Sequence, residues 1–149
     1  MKVEKDYEDL LKLLNKNKVK YCIIGAYAVA FYSRPRYTKD MDILIEPEVK
    51  NAEKIVSALN EFGFKNCGLE VKDFTEKGRI IQLGYEPIRV DIITSILRVG
   101  FEDIWKNKKK GVYGSQKVFF IALKDLIKLK RISNRKQDKV DLEILKRFR

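Results

Sequence analysis

Two carboxylates stand close together in residues 38–45, which read T-K-D-M-D-I-L-I. A β-strand repeats every two residues, so Asp40 and Asp42 project from one face while Met41, Ile43 and Ile45 project from the other. The two carboxylates repel each other unless a cation lies between them. Mg²⁺ binds one or two carboxylates together with waters and phosphate oxygens, so this spacing favours a metal site. The alternative is an edge strand with two exposed acids.

The residues before this strand predict a phosphate-binding turn. Residues 19–24 are typical of a short buried strand, which runs into Gly25 and Ala26, and residues 26–32 are typical of a short helix. A glycine at a strand-to-helix turn lets backbone N–H groups approach a phosphate, and a helix N-terminus favours negative charge. The loop that follows is basic and contains Arg34, Arg36 and Lys39. One short segment thus combines a predicted phosphate site with a predicted metal site.

This arrangement resembles the signature of the DNA polymerase β-like nucleotidyltransferase superfamily. That signature is Gly-Gly or Gly-Ser, a spacer, and then Asp-hydrophobic-Asp/Glu-hydrophobic. Here Gly25 and Ala26 are followed by thirteen residues and then by D-M-D-I, and the resemblance extends over residues 20–145. The version is most similar to small stand-alone nucleotidyltransferase-like proteins, which are related to the kanamycin nucleotidyltransferase catalytic domain, minimal nucleotidyltransferase antitoxins and abortive-infection toxins. Ala26 departs from the signature, because it offers a phosphate a backbone N–H but no hydroxyl.

A third acid, Asp91, stands in a second alternating segment. Within residues 88–93, Arg89 and Asp91 share one face and apolar residues share the other. Strands contain few aspartates, and a buried aspartate needs a partner. The superfamily carries a further Asp on a neighbouring strand, so the resemblance implies that Asp91 completes a metal-ligand set or accepts a proton from an attacking hydroxyl. The alternative is an ion pair between Asp91 and a neighbouring Arg or Lys.

The composition is that of one globular domain, which we assign to residues 1–149. The chain is 45% hydrophobic and 36% charged, and its length is sufficient for a substantial core. No apolar run approaches twenty residues, so we expect a cytoplasmic protein without membrane association. The absence of histidine and the wide separation of the two cysteines argue against a Cys/His zinc site.

Hydrophobic periodicity predicts an α+β fold. Helices are predicted over residues 7–14, 48–62, 96–105, 123–132 and 138–148. Further strands are predicted at residues 67–71, 79–83, 88–93 and 117–121, with a turn between Gly111 and Gly114. We therefore expect a mixed or antiparallel central sheet of about four to six strands, flanked by helices and followed by a helical C-terminus. The resemblance implies that this is the nucleotidyltransferase fold.

The net charge of +11 is concentrated in the last third of the chain. Residues 1–105 contain 17 basic and 17 acidic residues, whereas residues 106–149 contain 15 basic and 4 acidic ones. At helical spacing, Lys124, Lys128 and Arg131 share a face. This asymmetry predicts contact with a polyanion such as a nucleoside triphosphate or nucleic acid. The alternative is a solvated basic surface on the terminal helices.

The resemblance implies transfer of a nucleoside monophosphate from a nucleoside triphosphate, with ATP as the first choice, to a hydroxyl acceptor on protein or RNA, releasing pyrophosphate. Asp40, Asp42 and Asp91 would hold two Mg²⁺ ions. The triphosphate would contact the residues of the turn and of the basic loop, which are Gly25, Ala26, Arg34, Arg36 and Lys39. Lys128 and Lys130 are further candidates for a triphosphate contact.

Two other classes of function remain open. One is a weakly active or inactive binding or antitoxin module that keeps the fold, which Ala26 and the short chain favour. The other is an unrelated metal-dependent glycosyltransferase with a D-x-D motif, against which the Gly25–Ala26 turn argues. The chain is short for a second-substrate domain, so we expect a macromolecular acceptor or a site completed in a homodimer.

Overall fold

The computed structural model describes residues 3–34, 40–65, 67–85, 88–96, 98–133 and 135–148. Its helices are α1 (Lys5–Lys16), α2 (Gly25–Tyr32), α3 (Val49–Phe62), α4 (Phe101–Asn107), α5 (Leu123–Ser133) and α6 (Lys136–Lys146). Its strands are β1 (Tyr21–Ile24), β2 (Asp40–Ile45), β3 (Ile80–Tyr85), β4 (Ile88–Ile93), β5 (Lys109–Tyr113) and β6 (Gln116–Phe120). A short 3₁₀ helix covers Val71–Phe74.

The six strands form one mixed sheet in the order β3-β4-β2-β1-β6-β5. Strand β1 pairs antiparallel with β2 and parallel with β6. Strand β4 pairs parallel with β2 and antiparallel with β3, and β5 pairs antiparallel with β6. The α+β class, the mixed sheet and the helical C-terminus expected from the sequence are thereby confirmed. In the ranges described above, no helix is long and apolar enough to cross a membrane.

Apolar residues on one face of β2 and β4 are buried in the core, and all four residues of β1 are buried. In β2 and β4, Met41, Ile43 and Ile92 are fully buried on this face. Helix α1 buries the apolar stripe that its 3.6-residue period predicts, and it packs against α3. Helix α3 ends at Gly63 in the left-handed conformation, as expected of a glycine that caps a helix. Alternation along β2 therefore puts Met41, Ile43 and Ile45 on one face and leaves Asp40 and Asp42 on the other, where Leu44 is also buried.

Three local expectations were wrong. The 67–71 segment is not a strand, because the chain there is irregular and leads into the 3₁₀ helix, which buries Phe74. Helix α4 starts at Phe101 rather than at Ile96, since Ile96 forms a bridge with Val99 across a turn in which Arg98 has φ +67°.

The third concerns Gly111, which was predicted to begin a turn but lies inside β5. A Cβ at this position would overlap the rings of Phe31 and Phe120, which stack with centroids 4.1 Å apart. The glycine therefore allows β5 to lie close to a packed aromatic pair, and a glycine in a strand often marks such a close approach.

Candidate active site

Strand register brings the three aspartates to one face of the sheet. Asp42 lies opposite Asp91 and Asp40 lies opposite Arg89 across the parallel β2–β4 pair. Adjacent strands are about 4.8 Å apart, so directly paired residues on one face are close neighbours. We call these four residues, Asp40, Asp42, Arg89 and Asp91, the acidic row. The row agrees with the placement of Asp91 expected from the sequence, while the chemical role of each carboxylate stays a prediction.

Arg89 joins two of the carboxylates. Its Nη2 donates to Oδ2 of Asp40 at 2.7 Å and lies 3.4 Å from Oδ2 of Asp91. Its Nε faces Oδ1 of Asp91 at 3.3 Å, as an ion pair rather than a well-aligned hydrogen bond. The side chains of Asp40 and Arg89 are about one quarter exposed and that of Asp91 is 13% exposed. The alternative considered for Asp91, an ion pair with a nearby arginine, is therefore present.

Tyr7 of α1 fixes the backbone at Arg89. The Tyr7 hydroxyl donates to the carbonyl of Arg89 at 2.9 Å and accepts from its N–H at 3.1 Å. Burial raises the pKa of Tyr7 to about 12, so the hydroxyl keeps its proton at neutral pH. No sequence pattern predicts this contact, because the two residues are 82 positions apart.

Two separate constraints require a glycine at the position of Gly25. Its φ is +68°, a left-handed conformation that side chains with a Cβ rarely adopt. A Cβ at this position would also overlap Oδ2 of Asp42. The carboxylate of Asp42 therefore rests directly on the start of α2. Ala26 follows in the first turn of α2 and is half-buried.

Burial and like charges act on the acidic row. The pKa of Asp42 is raised to about 6, chiefly by burial and then by the charges of Asp91 and Asp40. Lys130 and Arg135 act in the opposite direction. Burial also raises the pKa of Asp91, although the adjacent Arg89 lowers it. A further positive charge close to these carboxylates would therefore stabilise their ionised forms.

A second polar cluster joins α5 to α6 close enough to influence Asp42. Lys130 is almost fully buried, and its Nζ lies 3.0 Å from Oδ1 of Asp138 and 3.1 Å from Oδ2 of Asp141. Burial by itself would raise the pKa of Asp138, but hydrogen bonds from Arg135, Ser133 and Lys130 hold that pKa well below its usual range. Lys130 was a candidate triphosphate contact, and the structure shows its ammonium held by two buried carboxylates.

The structure describes only some of the basic residues that were predicted to contact the triphosphate. Arg34 is exposed beyond the end of α2, while Arg36 and Lys39 lie outside the described residues. Lys124, Lys128 and Arg131 are exposed on α5, on a different side from the buried Lys130.

The acidic row offers oxygen donors of the kind that Mg²⁺ prefers. Oδ1 of Asp40 and Oδ1 of Asp91 are buried, and neither accepts a hydrogen bond from the part of the chain that the structure describes. Within those same ranges, no three Asp, Glu or Cys side chains form a ready-made ligand cluster. Arg89 instead supplies the positive charge. The oxygen atoms are of the type that Mg²⁺ binds, and Arg89 bridges two of the carboxylates, those of Asp40 and Asp91.

A cavity of about 530 Å³ adjoins the acidic row on the side of β3. Arg89, Gln82 and Gly84 line it from the sheet, and Phe64 and Leu69 line it from the segment after α3. The register pairs Gln82 with Asp91 and Gly84 with Arg89. No sequence pattern indicates this cavity, since its walls come from separate parts of the chain.

Residues 3–149 match the model of a family described as "Nucleotidyl transferase of unknown function (DUF2204)". The chain belongs to this family. It is a nucleotidyltransferase of small size, as the resemblance of the Gly25–Ala26 turn and the D-M-D-I strand implied. No curated protein matches the chain by sequence.

Solved structures agree with the fold of this nucleotidyltransferase. The lincosamide antibiotic adenylyltransferase LnuA, solved with lincomycin bound, superposes with a TM-score of 0.63 at 18% identity, over 98% of each chain. A putative nucleotidyltransferase from Thermotoga maritima gives 0.58 at 18% identity, over 95% of this chain and 96% of that one. An antigenic nucleotidyltransferase-like protein from Paracoccidioides brasiliensis gives 0.55 at 12% identity, over 94% of this chain and 72% of that one. At these identities the likeness concerns the fold.

Proposed function

We propose that this nucleotidyltransferase transfers a nucleoside monophosphate from a nucleoside triphosphate, ATP in the first instance, to a hydroxyl acceptor, in a Mg²⁺-dependent reaction that releases pyrophosphate. One observation carries the proposal. Asp40, Asp42 and Asp91 share one face of adjacent strands, and Asp42 rests on the Gly25 turn at the start of α2.

The three aspartates would hold two Mg²⁺ ions through carboxylate oxygens, among which Oδ1 of Asp40 is buried and accepts no hydrogen bond from the described residues. When bound, the metal supplies charge that polarises the transferred phosphoryl group and stabilises the attacking and leaving oxygens. The first N–H groups of α2, at Gly25 and Ala26, would bind phosphate oxygens. Arg34, Arg36 and Lys39 are the proposed side-chain contacts to the triphosphate.

Asp91 is the proposed proton acceptor for the attacking hydroxyl. Burial raises its pKa, which makes its carboxylate a better base than an exposed aspartate. Across the sheet, Asp91 lies between Asp42 on β2 and Gln82 on β3, so an acceptor hydroxyl in the cavity at Gln82 would approach Asp91 from the β3 side.

The hydroxyl acceptor belongs either to a macromolecule, protein or RNA, or to a small molecule. The basic final third of the chain supports an RNA acceptor. The cavity of about 530 Å³ beside Arg89 supports a small-molecule acceptor, because its volume is that of a typical ligand pocket. The lincomycin-bound structural neighbour, which has the same fold, adds to the second case.

The test combines the purified chain with each labelled nucleoside triphosphate, Mg²⁺, and either RNA, extract proteins or hydroxyl-bearing small molecules. We expect pyrophosphate release and label transfer to one acceptor class. Asp42→Asn and Asp91→Asn should abolish transfer, whereas Asp9→Asn on the exposed face of α1 should not change it. Triphosphate binding without turnover across all acceptors would instead favour the binding or antitoxin module.

A further inference from the structure

Arg89 places its guanidinium beside carboxylate oxygens that could otherwise bind a metal cation. It lies two residues before Asp91 on the same strand face, and β2 places Asp40 directly opposite. Its guanidinium therefore reaches both carboxylates from one backbone position, at 2.7 Å from Asp40 and 3.3 Å from Asp91. The outcome is a positive charge, supplied by the chain itself, in the middle of the acidic row.

The guanidinium and a divalent ion need the same carboxylates. Oδ2 of Asp40 is bonded to Arg89, and Oδ1 of Asp91 faces its Nε. An ion that drew these two carboxylates together would meet the guanidinium between them, and two cations in one partly buried space repel each other. An ion bound through these oxygens would therefore compete with the Arg89 side chain for the same positions.

The structure provides a place for that side chain. On the β3 side, the residue paired with Arg89 is Gly84. The cavity of about 530 Å³ on this side has both Gly84 and Arg89 itself in its wall. Gln82 supplies a polar side chain on the same side. A rotation about the arginine side-chain bonds would move the guanidinium from the acidic row towards this cavity.

The movement is confined to the side chain. Tyr7 holds both the N–H and the carbonyl of Arg89, at 3.1 and 2.9 Å, and β4 is paired on both sides. The backbone at this position is thus fixed by α1 and by two strands. Because its backbone is fixed, the Arg89 side chain can take two discrete positions, one at the carboxylates and one at the cavity.

We propose that Arg89 is a resident cation of the acidic row, whose negative charge it partly balances in the metal-free protein, and that its side chain moves to the Gly84 side of the cavity when a divalent ion binds. This inference rests on the proposed metal-dependent function. It makes Arg89 a positioning residue that opposes metal binding in the absence of nucleotide. Once displaced, its charge lies beside the acceptor side of the site rather than among the aspartates.

The test measures Mg²⁺ and Mn²⁺ binding by calorimetry without nucleotide or acceptor. Removing the competing charge in Arg89→Met should tighten binding about tenfold or more, in proportion to the charge-assisted hydrogen bonds that no longer have to be broken. Arg89→Lys should fall between that variant and the wild type, because a lysine keeps the charge but lacks the planar fork that bridges two carboxylates. Unchanged or weaker metal binding by Arg89→Met would overturn the proposal.

Two controls separate this inference from the proposed function. Arg79→Met removes another ion-paired arginine, whose Nη1 lies 2.8 Å from Oε2 of Glu76. Arg79 is not part of the acidic row, so this change should leave the metal affinity unchanged. Asp42→Asn should weaken metal binding in any background. If Asp42→Asn binds metal as well as the wild type, the metal site of the proposed function fails; if only Arg89→Met fails to bind more tightly, the resident-cation role fails.

A second measurement covers the case in which Arg89→Met does not fold. In the wild type, the Nε–H resonance of Arg89, assigned from its loss in Arg89→Lys, should shift on titration with Mg²⁺ with the midpoint found by calorimetry. The Nε–H resonance of Arg79 should stay in place. An Arg89 resonance that does not respond while Mg²⁺ binds would overturn the proposal.

Discussion

At Asp42, the proposed chemistry and the stability of the fold favour opposite protonation states. Folding raises its pKa to about 6, so the folded chain favours its protonated form. The sign follows directly: this stabilising contribution is fully present below the unfolded value near 4, and it is lost as the pH rises through about 6. At neutral pH the ionised Asp42 therefore lowers the free energy of unfolding.

We predict that Asp42→Asn is more stable than the wild type by about 2 kcal/mol near pH 8 and gains nothing near pH 4. Urea denaturation in the presence of a chelator at both pH values measures this difference. Asp9→Asn, which changes an exposed carboxylate on α1, should show no such dependence. Equal stability of Asp42→Asn and the wild type across this range would show that Asp42 is not strained in the folded chain.

Gly25 allows a second prediction at the scale of one residue. Gly25→Ala should destabilise the chain by about 2 kcal/mol or more, because the new Cβ must adopt φ +68° and also displace the Asp42 carboxylate. Gly78→Ala is the matched control, since it has φ +76° and open space around its Cα. Thermal unfolding of both variants separates the cost of the left-handed backbone conformation from the cost of displacing the Asp42 carboxylate. If the two variants lose equal stability, the contact with Asp42 adds nothing.

At the scale of elements, the α5–α6 pair is held by the buried Lys130. Its ammonium lies between Asp138 and Asp141, which are 1% and 0% exposed. Removing one partner of a buried ion pair leaves the other charge unpaired at a cost of about 3–5 kcal/mol. Because Lys130 and Arg135 also lower the pKa of Asp42, this helix pair stabilises the ionised form of the acidic row.

We therefore predict that Lys130→Met lowers the free energy of unfolding by about 3 kcal/mol and weakens metal-dependent triphosphate binding. Lys128→Met, two residues earlier and exposed on α5, should change stability by less than about 0.5 kcal/mol. Denaturant unfolding and calorimetry on both variants provide the measurements. A Lys130→Met variant as stable as Lys128→Met would show that the cluster contributes nothing to the α5–α6 contact.

At the scale of the whole molecule, the basic residues after residue 105 set the long-range field. Under the proposed function, the acidic row would have to bind a highly charged triphosphate that its own carboxylates repel. The exposed face of α5 with Lys124, Lys128 and Arg131 provides opposing charge on the molecular surface. Such a surface raises the affinity for polyanions in a salt-dependent way.

We predict that RNA affinity falls steeply from low to moderate salt, and that Lys128→Glu/Arg131→Glu lowers the slope of log affinity against log salt by about two. Lys50→Glu/Lys54→Glu makes the same change of charge on exposed positions of α3 and should affect the slope less. Fluorescence anisotropy with one labelled RNA over a salt series measures both. A flat response in the wild type would show that this surface is only solvated.

The sequence by itself determined the local features of the site. A period of two fixed which face of β2 carries Asp40 and Asp42, and a glycine at a strand-to-helix junction located the start of α2. Helices α1 and α3 and the β3–β4 hairpin were predictable for the same reason, since each depends on contacts within a short stretch of chain. The same rules misjudged residues 96–105 and β5, where tertiary packing outweighs local preference.

Only the tertiary structure decided what surrounds the aspartates. Parallel pairing of β2 with β4 sets Asp40 opposite Arg89 and Asp42 opposite Asp91, and no periodicity within one segment encodes the register between two. The hydroxyl of Tyr7 meets Arg89 across 82 positions, and Lys130 turns inward to Asp138 and Asp141 while its neighbours on α5 face solvent. These contacts depend on how distant elements pack together, so the cations that balance the acidic row become visible only in the folded chain.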